Sequence, residues 1–439
     1  MRLHPNVKTG VTALVLLASI ASFTGCGAGS RTGEKGAASV ECEFTAPDSD
    51  ATVNVLAYNS SSIDPFTNTM VKSCSKDNVT LKHDPIDFGG QVTKTTATLA
   101  GDKGSYDILE SYSFIVPSLA AGGGIEPLDD YVAKYSEKYK LGDLAQGMKS
   151  AMSYDGKLYG LPMQAQMFIM AYREDVFEDL NLEVPKTFEE MIEAAKVIQA
   201  EGDMQYPIAL PLNATEDIIV SYQAAMNSNG TDFLDENGKP QFESDASKKA
   251  LESLKSLKSY MNPEVTTFDQ PKVQQQMFNG TAAMSIMFSG RMNDLTLPVN
   301  SKLSEKFAFA APPQVSADSN YLYSRLSVDG WSIPTNTDLD KDMLFQMMAA
   351  SVSEDASKAS VPAAYPAREG IVKDDSSKYA LAANETASAT MPASGNPHIA
   401  TVSNAIRPTL VKAFTGQLEI AAAMKEMQNI AEKSIADSK

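Results

Sequence analysis

Residues 52–58 read TVNVLAY, and the segments after them decide the fold. Apolar and polar residues alternate through this stretch, and its β-branched content marks a half-buried strand. Pro65 then opens a helix that runs through Cys74, since proline is tolerated only in a first turn. A strand near VTLKHD (79–84), a helix near VTKTTATLAGD (92–102) and a strand at Tyr106–Leu109 complete a β-α-β-α-β order. That order predicts an α/β fold with a mostly parallel sheet flanked by helices, whose ligands gather beyond the carboxyl ends of the strands. Two loops therefore come forward, Tyr58–Ser62 after the first strand and Glu110–Phe114 after the third.

Further along, GKLYGLPMQAQMFIMAYREDVF (156–177) gives a turn, a Gly-Leu-Pro break and a long apolar extended run, read as a strand that crosses between two lobes. Thr187 follows as an N-cap with Glu190 at the capping-box position of an amphipathic helix. Helical periodicity returns at 217–228, 245–261 and 271–280, strand character at AAMSIMF, FAFAAPP and SVDGWSIP, and the tail from Ile399 to Ser438 is mostly helical. No period of 20 to 50 residues is evident, which argues against solenoids and propellers.

Upstream of the body, Arg2 and Lys8 lead into the apolar run VTALVLLASIASF (11–23), which ends at Phe23-Thr24-Gly25-Cys26. This reads as a bacterial lipoprotein signal over 1–25, too short for a membrane span, with Cys26 as the lipidated first mature residue. Phe23 stands where such signals usually carry Leu; the alternative is an ordinary secreted protein cleaved nearby. Acyl chains on Cys26 would hold the protein on the outer face of the cell membrane. Residues 26–50, rich in Gly, Ala, Ser and charge, read as a flexible tether. Cys42 and Cys74 then form an even pair in a compartment where disulfides persist; a bridge is expected, with two free thiols as the alternative.

The 439 residues exceed what one core normally serves, so two or three lobes are expected. A net charge of −18 repels nucleic acid and anionic surfaces, and nucleic-acid binding is excluded from the candidate functions.

Four segments in order resemble the carbohydrate-binding family of extracellular solute-binding proteins of bacterial ABC importers, the family that includes the maltose-binding proteins. They are YDILESYSFIVPSLAAGGGIEPLDDYV (106–132), GKLYGLPMQAQMFIMAYREDVFEDLNLEVPKTFEEM (156–191), QQQMFNGTAAMSIMFSGRM (274–292), and DGWSIPTN (329–336) paired with YPAREGIV (365–372). The resemblance implies a two-lobed periplasmic-binding-protein-like fold with ligand held between the lobes. Lobe 1 would comprise 51–160 and 312–360, and lobe 2 would comprise 165–310 and 370–439. Crossings would lie near Leu161–Gln166, Ala310–Pro313 and Tyr365–Ile371. It also implies a lipid-anchored monomer that captures a sugar or oligosaccharide and delivers it to membrane permease subunits. Two departures stand out: Met292 occupies a place where the family often has a stacking Trp, and Arg173-Glu174 replaces Asn-Lys.

A sugar offers hydroxyls on its edges and C–H groups on its faces, so its cleft needs preplaced polar groups beside aromatic plates. Trp331, the single Trp, is expected to stack on the ligand, with a core indole as the alternative. Gln166 sits where the family's first crossing carries a ligand contact, and Gln164 shares its strand face. Asn59 and Ser61 suit a hydroxyl, a turn or a cap equally; Glu110 and Tyr112 follow the third strand. Arg291 and Arg368 are candidates to pair with Glu110 or to contact ligand. Asn213, Asp217 and Tyr222 begin a second-lobe helix, and Phe288 and Tyr365 are either plates or core.

The rival classes have less support. A glycosidase needs only two carboxylates, but no G-x-S-x-G, H-E-x-x-H, C-x-x-C or phosphate-cradling loop occurs. His83 and His398, far apart, are the histidines left after processing, so neither metal nor cofactor is expected. A polyamine would want several cleft carboxylates, where the candidates are Glu110, Asp217 and Asp329; a peptide is the other non-sugar alternative.

Overall fold

The computed structural model describes residues 36–438 except 84 and 203, so the export signal and Cys26 lie outside the described residues. Among the described residues twelve strands form, in chain order β1 (Ala51–Leu56), β2 (Val79–His83), β3 (Ile108–Tyr112), β4 (Ser153–Tyr154), β5 (Lys157–Leu158), β6 (Leu161–Gln166), β7 (Phe168–Arg173), β8 (Ile208–Ala209), β9 (Met284–Phe288), β10 (Phe307–Ala310), β11 (Ser327–Ser332) and β12 (Tyr365–Pro366). The opening segment behaves as its pattern dictates. Val53 and Val55 point into the core, and β1 pairs parallel with β2 on one side and β3 on the other. The intervening helix Asp64–Cys74 buries Phe66, Met70 and Cys74, spaced four apart on one face, against β2. Burying a side chain of that size contributes roughly 2 kcal/mol.

Two sheets result, in the orders β12-β6-β11-β3-β1-β2 and β10-β7-β9-β8, with β4 and β5 as a separate hairpin. Each carries its own hydrophobic core, so the chain forms two lobes. β11 runs antiparallel to β3 and β6, and β7 runs antiparallel to β9 and β10. These reversals fall on strands that enter a lobe from the other one, which fixes their direction.

The first crossing is a single residue, Met167, between β6 and β7. The second departs from the expected boundary. Residues 312–326, assigned to lobe 1 on resemblance, pack on lobe 2: Tyr323 meets Phe168 and Phe188 at centroid distances of 5.5 and 4.9 Å, and Gln314 bridges to Thr187. The return to lobe 1 comes only at β11. The third crossing runs from β12 to the helix Ala380–Ser388, whose Ala382 and Ala383 pack beneath the second sheet.

Residues 36–50, expected as free tether, lie against the helix Asp64–Cys74. Ala38 N donates to Thr69 Oγ1 (2.9 Å), Val40 N donates to Ser73 Oγ (3.1 Å), and Cys42 and Cys74 form a disulfide across a separation of 32 residues. Composition concealed this strap because its order comes from a covalent bond, backbone donors and only a few apolar contacts, those of Val40, Cys42 and Phe44 with the lobe 1 core. Closing a loop of that length stabilises by roughly 3–4 kcal/mol through the unfolded state. Cys42→Ser is therefore expected to lower the first lobe's melting temperature by several degrees, and reductant to lower the wild type equally; calorimetry that finds no shift refutes the strap's contribution.

Thr187 caps the helix Phe188–Glu201 as its spacing predicts, Oγ1 accepting from Glu190 N at 3.2 Å, while the Glu190 carboxylate reaches back to Lys186 N. Among the described residues no helix is long and apolar enough to cross a membrane.

Candidate functional site

The carboxyl ends of β1 and β3, the start of β11 and the end of β6 meet at one edge of the first sheet, and the end of β9 and the start of the helix Asp217–Ser228 face them from the second. On the floor, Gln164 Nε2 and Gln166 Nε2 both donate to Asp329 Oδ2, at 3.0 and 2.9 Å. The two-residue period places these amides together, and their pairing with β11 holds the carboxylate between them. Glu110 lies one strand away, fully buried, its Oε2 accepting from Tyr58 N at 2.5 Å. Glu110 Oε1, the Tyr112 hydroxyl and Gln164 Oε1 are buried with no partner within hydrogen-bond geometry among the described residues, although Glu110 and Tyr112 lie close enough to influence each other.

Burial sets the charges here. It pushes the Glu110 carboxyl well above its usual range, helped by the Asp329 charge, with the Tyr58 amide pulling the other way. Asp329 is pushed up to about 6 by burial against the two glutamine bonds. Across the cleft Asp217 is pushed up to about 7, first by burial and then by the Asp269 and Glu216 charges; Gln270 Nε2 donates to it at 3.4 Å.

The lobes touch through short polar side chains. Arg291 Nη2 donates to the Tyr58 hydroxyl (2.7 Å), and Ser61 Oγ donates to Asp294 Oδ2 (3.3 Å) and to Gly290 O (3.4 Å). A Cβ on Gly290 would come within 2.7 Å of Ser62 Oγ and 2.9 Å of Gln166 Oε1, so glycine there permits the close approach. A row of rings lines lobe 1: Tyr58 to Phe88 at 6.1 Å, Phe88 to Tyr112 at 5.2 Å and Tyr112 to Phe114 at 5.4 Å. Such an arrangement offers acceptors and donors to hydroxyls and ring faces to C–H groups.

Ser61, Glu110, Tyr112, Gln164, Gln166, Asp217 and Arg291 are thus brought together, and Asn59 lies beside them, its amide nitrogen 3.0 and 3.1 Å from the Asp64 oxygens when suitably turned. Others lie elsewhere. Trp331, expected to stack, is fully buried in the lobe 1 core, paired with Glu110 two residues beyond Asp329 on β11. Tyr222 is likewise core in lobe 2, its hydroxyl 2.6 Å from Ser247 Oγ, because the inner face of its helix faces the lobe and not the cleft. Arg368 is buried in lobe 1 and donates to the backbone carbonyls of Tyr139, Lys140 and Val352. Asn213 caps: its Oδ1 accepts from the backbone nitrogens of Thr215 and Glu216. Phe288 packs on Phe168 at 4.8 Å, and the Tyr365 hydroxyl donates to Asn384 Oδ1 across the third crossing. Met292 is buried in lobe 2, and Arg173 forks onto Asp175 with two bonds of 2.7 Å.

Phe88, Asp294 and Gln270 escaped the sequence reading, and Tyr58 and Phe114 entered it only as the ends of the two candidate loops. Tyr58 closes the strand pattern itself and could have been taken from it; the others required knowing which loops face across the cleft. A cavity of about 560 Å³ opens at the far strand ends of lobe 2, beside Tyr206, Val265 and Thr281. It lies away from these groups. Among the described residues no cluster of three His, Cys, Asp or Glu side chains could hold a metal.

Two lobes joined by three crossings, with polar and aromatic side chains converging between them, define a hinged binding protein. The chain belongs to the family of bacterial extracellular solute-binding proteins, which it matches over residues 68–350. That family consists of binding proteins, not enzymes, and it is extracellular. A mannitol-binding protein of Pseudomonas aeruginosa is 27% identical over 238 residues, 53% of each chain, and a probable amino-acid ABC transporter periplasmic-binding protein of Sinorhizobium fredii is 24% identical over 225 residues, 50% of this chain and 47% of that one. The chain thus spans about half the length of the curated relatives it matches. The crystal structure of an ABC transporter solute-binding protein from Agrobacterium radiobacter K84 in complex with ribitol superposes with a TM-score of 0.77 at 20% identity, covering 88% of this chain and all of that one.

Proposed function

We propose that this protein is the lipid-anchored receptor of an ABC importer, taking a sugar or polyol between its lobes and delivering it, as a monomer, to membrane permease subunits. One observation carries the reading: buried acceptors and donors on Glu110, Gln164 and Asp329 and half-buried ones on Gln166, Asp217 and Arg291 converge beside the rings of Tyr58, Phe88 and Tyr112. Neutral polyhydroxy solutes need this combination, since each buried hydroxyl left without a partner costs about 1–3 kcal/mol. The mannitol-binding relative and the ribitol-bound structure point the same way. Cys26 would keep the receptor beside its permease, where delivery is intramolecular in effect. Closure would select the form the permease accepts.

A melting-temperature panel of polyols, mono- and oligosaccharides, polyamines and amino acids on protein lacking residues 1–26 tests this. A bound solute at 100 times its dissociation constant stabilises by about 2.7 kcal/mol, which shifts the transition measurably. Shifts confined to polyamines or amino acids overturn the reading. Cys26→Ala is expected to free the full-length protein from the membrane, and unchanged retention refutes the anchor.

A further inference from the structure

The row of rings does not end at the cleft floor. Beyond Phe114 it meets Arg325, whose guanidinium carbon lies 4.9 Å from the ring centroid. Arg325 stands on the second crossing, two residues before β11, and makes no hydrogen bond and no ion pair with any described residue. Asp232 is the carboxylate that acts on it, yet Asp232 Oδ1 already accepts from Gln223 Nε2 and Phe233 N, both at 2.7 Å. Both residues line a small inter-lobe cavity together with Ser113, Phe114 and Asn227. Its volume of about 20 Å³ is room for one hydroxyl-sized group. Burial draws the guanidinium down to about 10, the cost expected of a charge that lacks acceptors.

At the opposite end of the row stands Arg291 on the Tyr58 hydroxyl. The helix Asp217–Ser228 connects the two ends from the other lobe: Asp217 faces Arg291, and Gln223 holds Asp232 about 9 Å further along the axis. Two arginine-aspartate stations, one at each end of a continuous row of rings, match the two ends of an elongated solute.

We propose that Arg325 and Asp232 form a second gripping station for the solute, donor and acceptor to one hydroxyl at its far end, so that the bound molecule is an extended sugar chain reaching from Arg291 to Arg325. This rests on the sugar reading of the cleft and specifies the length of what it takes. The guanidinium, which lies over the Phe114 ring and lines the cavity, supplies N–H donors to that hydroxyl, and the Asp232 oxygen not engaged by Gln223 accepts from it.

The test measures dissociation constants of ribitol, glucose, maltose and maltotriose for wild type, Arg325→Met and Arg325→Lys, with melting temperatures of the ligand-free proteins. Wild type is expected to bind the longer solutes more tightly. Arg325→Met is expected to weaken the longest by at least tenfold, to change the shortest less than twofold, and to melt at or above wild type because an unmatched charge is gone. Arg325→Lys keeps the charge without the fork and is expected to fall between. If Arg325→Met binds the longest solute as wild type does, or weakens all solutes equally, the second station is refuted while the sugar reading stands. If no member binds wild type, the sugar reading falls and takes the station with it.

Discussion

Arg368→Ala is expected to lower the melting temperature by roughly 10 °C while leaving the affinity of the remaining folded protein for its solute unchanged. The reason lies in two helix ends. The helix Asp129–Tyr139 terminates at Lys140, whose φ of 49° turns the chain away, and the helix Lys341–Ser351 ends at Val352. Terminal carbonyls of a helix have no partner within it and carry the negative end of its dipole. Arg368 serves both ends: Nη1 donates to Lys140 O at 2.7 Å, and Nη2 donates to Tyr139 O and Val352 O, each at 3.0 Å. Truncation leaves Tyr139 O without a donor, leaves Lys140 O to Asp143 N and Val352 O to Ser357 Oγ alone, and opens a void, a loss of about 3 kcal/mol. Had Arg368 contacted solute, the same change would spare stability and abolish binding. Thermal unfolding alongside titration of the folded protein separates the two outcomes, and retained stability with lost binding would return Arg368 to the cleft.

Arg368 also shows how far the sequence could be read. The β-α-β-α-β order, the extended run through Gln164 and Gln166 and the cap at Thr187 depend on patterns within a few residues, and each is legible from alternation, Pro and capping chemistry. Which face a residue joins depends on partners distant in the chain. Trp331 and Asp329 lie two residues apart on one face of β11, and only the pairing of that strand with β3 and β6 decides that the carboxylate sits at the cleft end while the indole lies deeper, in the core. Tyr222 lies five residues after Asp217, more than one turn of the same helix, and the turn carries it from the cleft into the lobe. The arginines are the hardest case. A guanidinium suits carbonyls at a helix end, a carboxylate or a sugar hydroxyl equally well, so Arg291, Arg325 and Arg368 acquire separate roles only from their surroundings.

Arg291→Ala is expected to weaken solute binding roughly 100-fold at pH 8, about 2.7 kcal/mol, and far less at pH 5. Arg291 joins the lobes through Tyr58, and its charge opposes those of Asp294 and Asp217. Burial raises both carboxyls, Asp217 to about 7, with Arg291 among the groups that hold them down. Asp217 is an acid whose value is raised on folding, so its favourable contribution to the closed form is complete below its ordinary value near 4 and is lost as pH rises through about 7. Without Arg291 that loss deepens, because Asp217 then ionises beside Asp269 and Glu216 with no cation to offset their repulsion. At pH 5 Asp217 holds its proton, the repulsion is absent, and what remains of the defect is the lost bond to Tyr58. Asp217→Asn in the Arg291→Ala background is expected to recover most of the affinity at pH 8 by removing the charge that arginine balanced. Titrations at the two pH values decide the matter: a defect of equal size at both, with no recovery in the double variant, would show that Arg291 acts by contact with solute and not by balancing the lobe 2 carboxylates beside it.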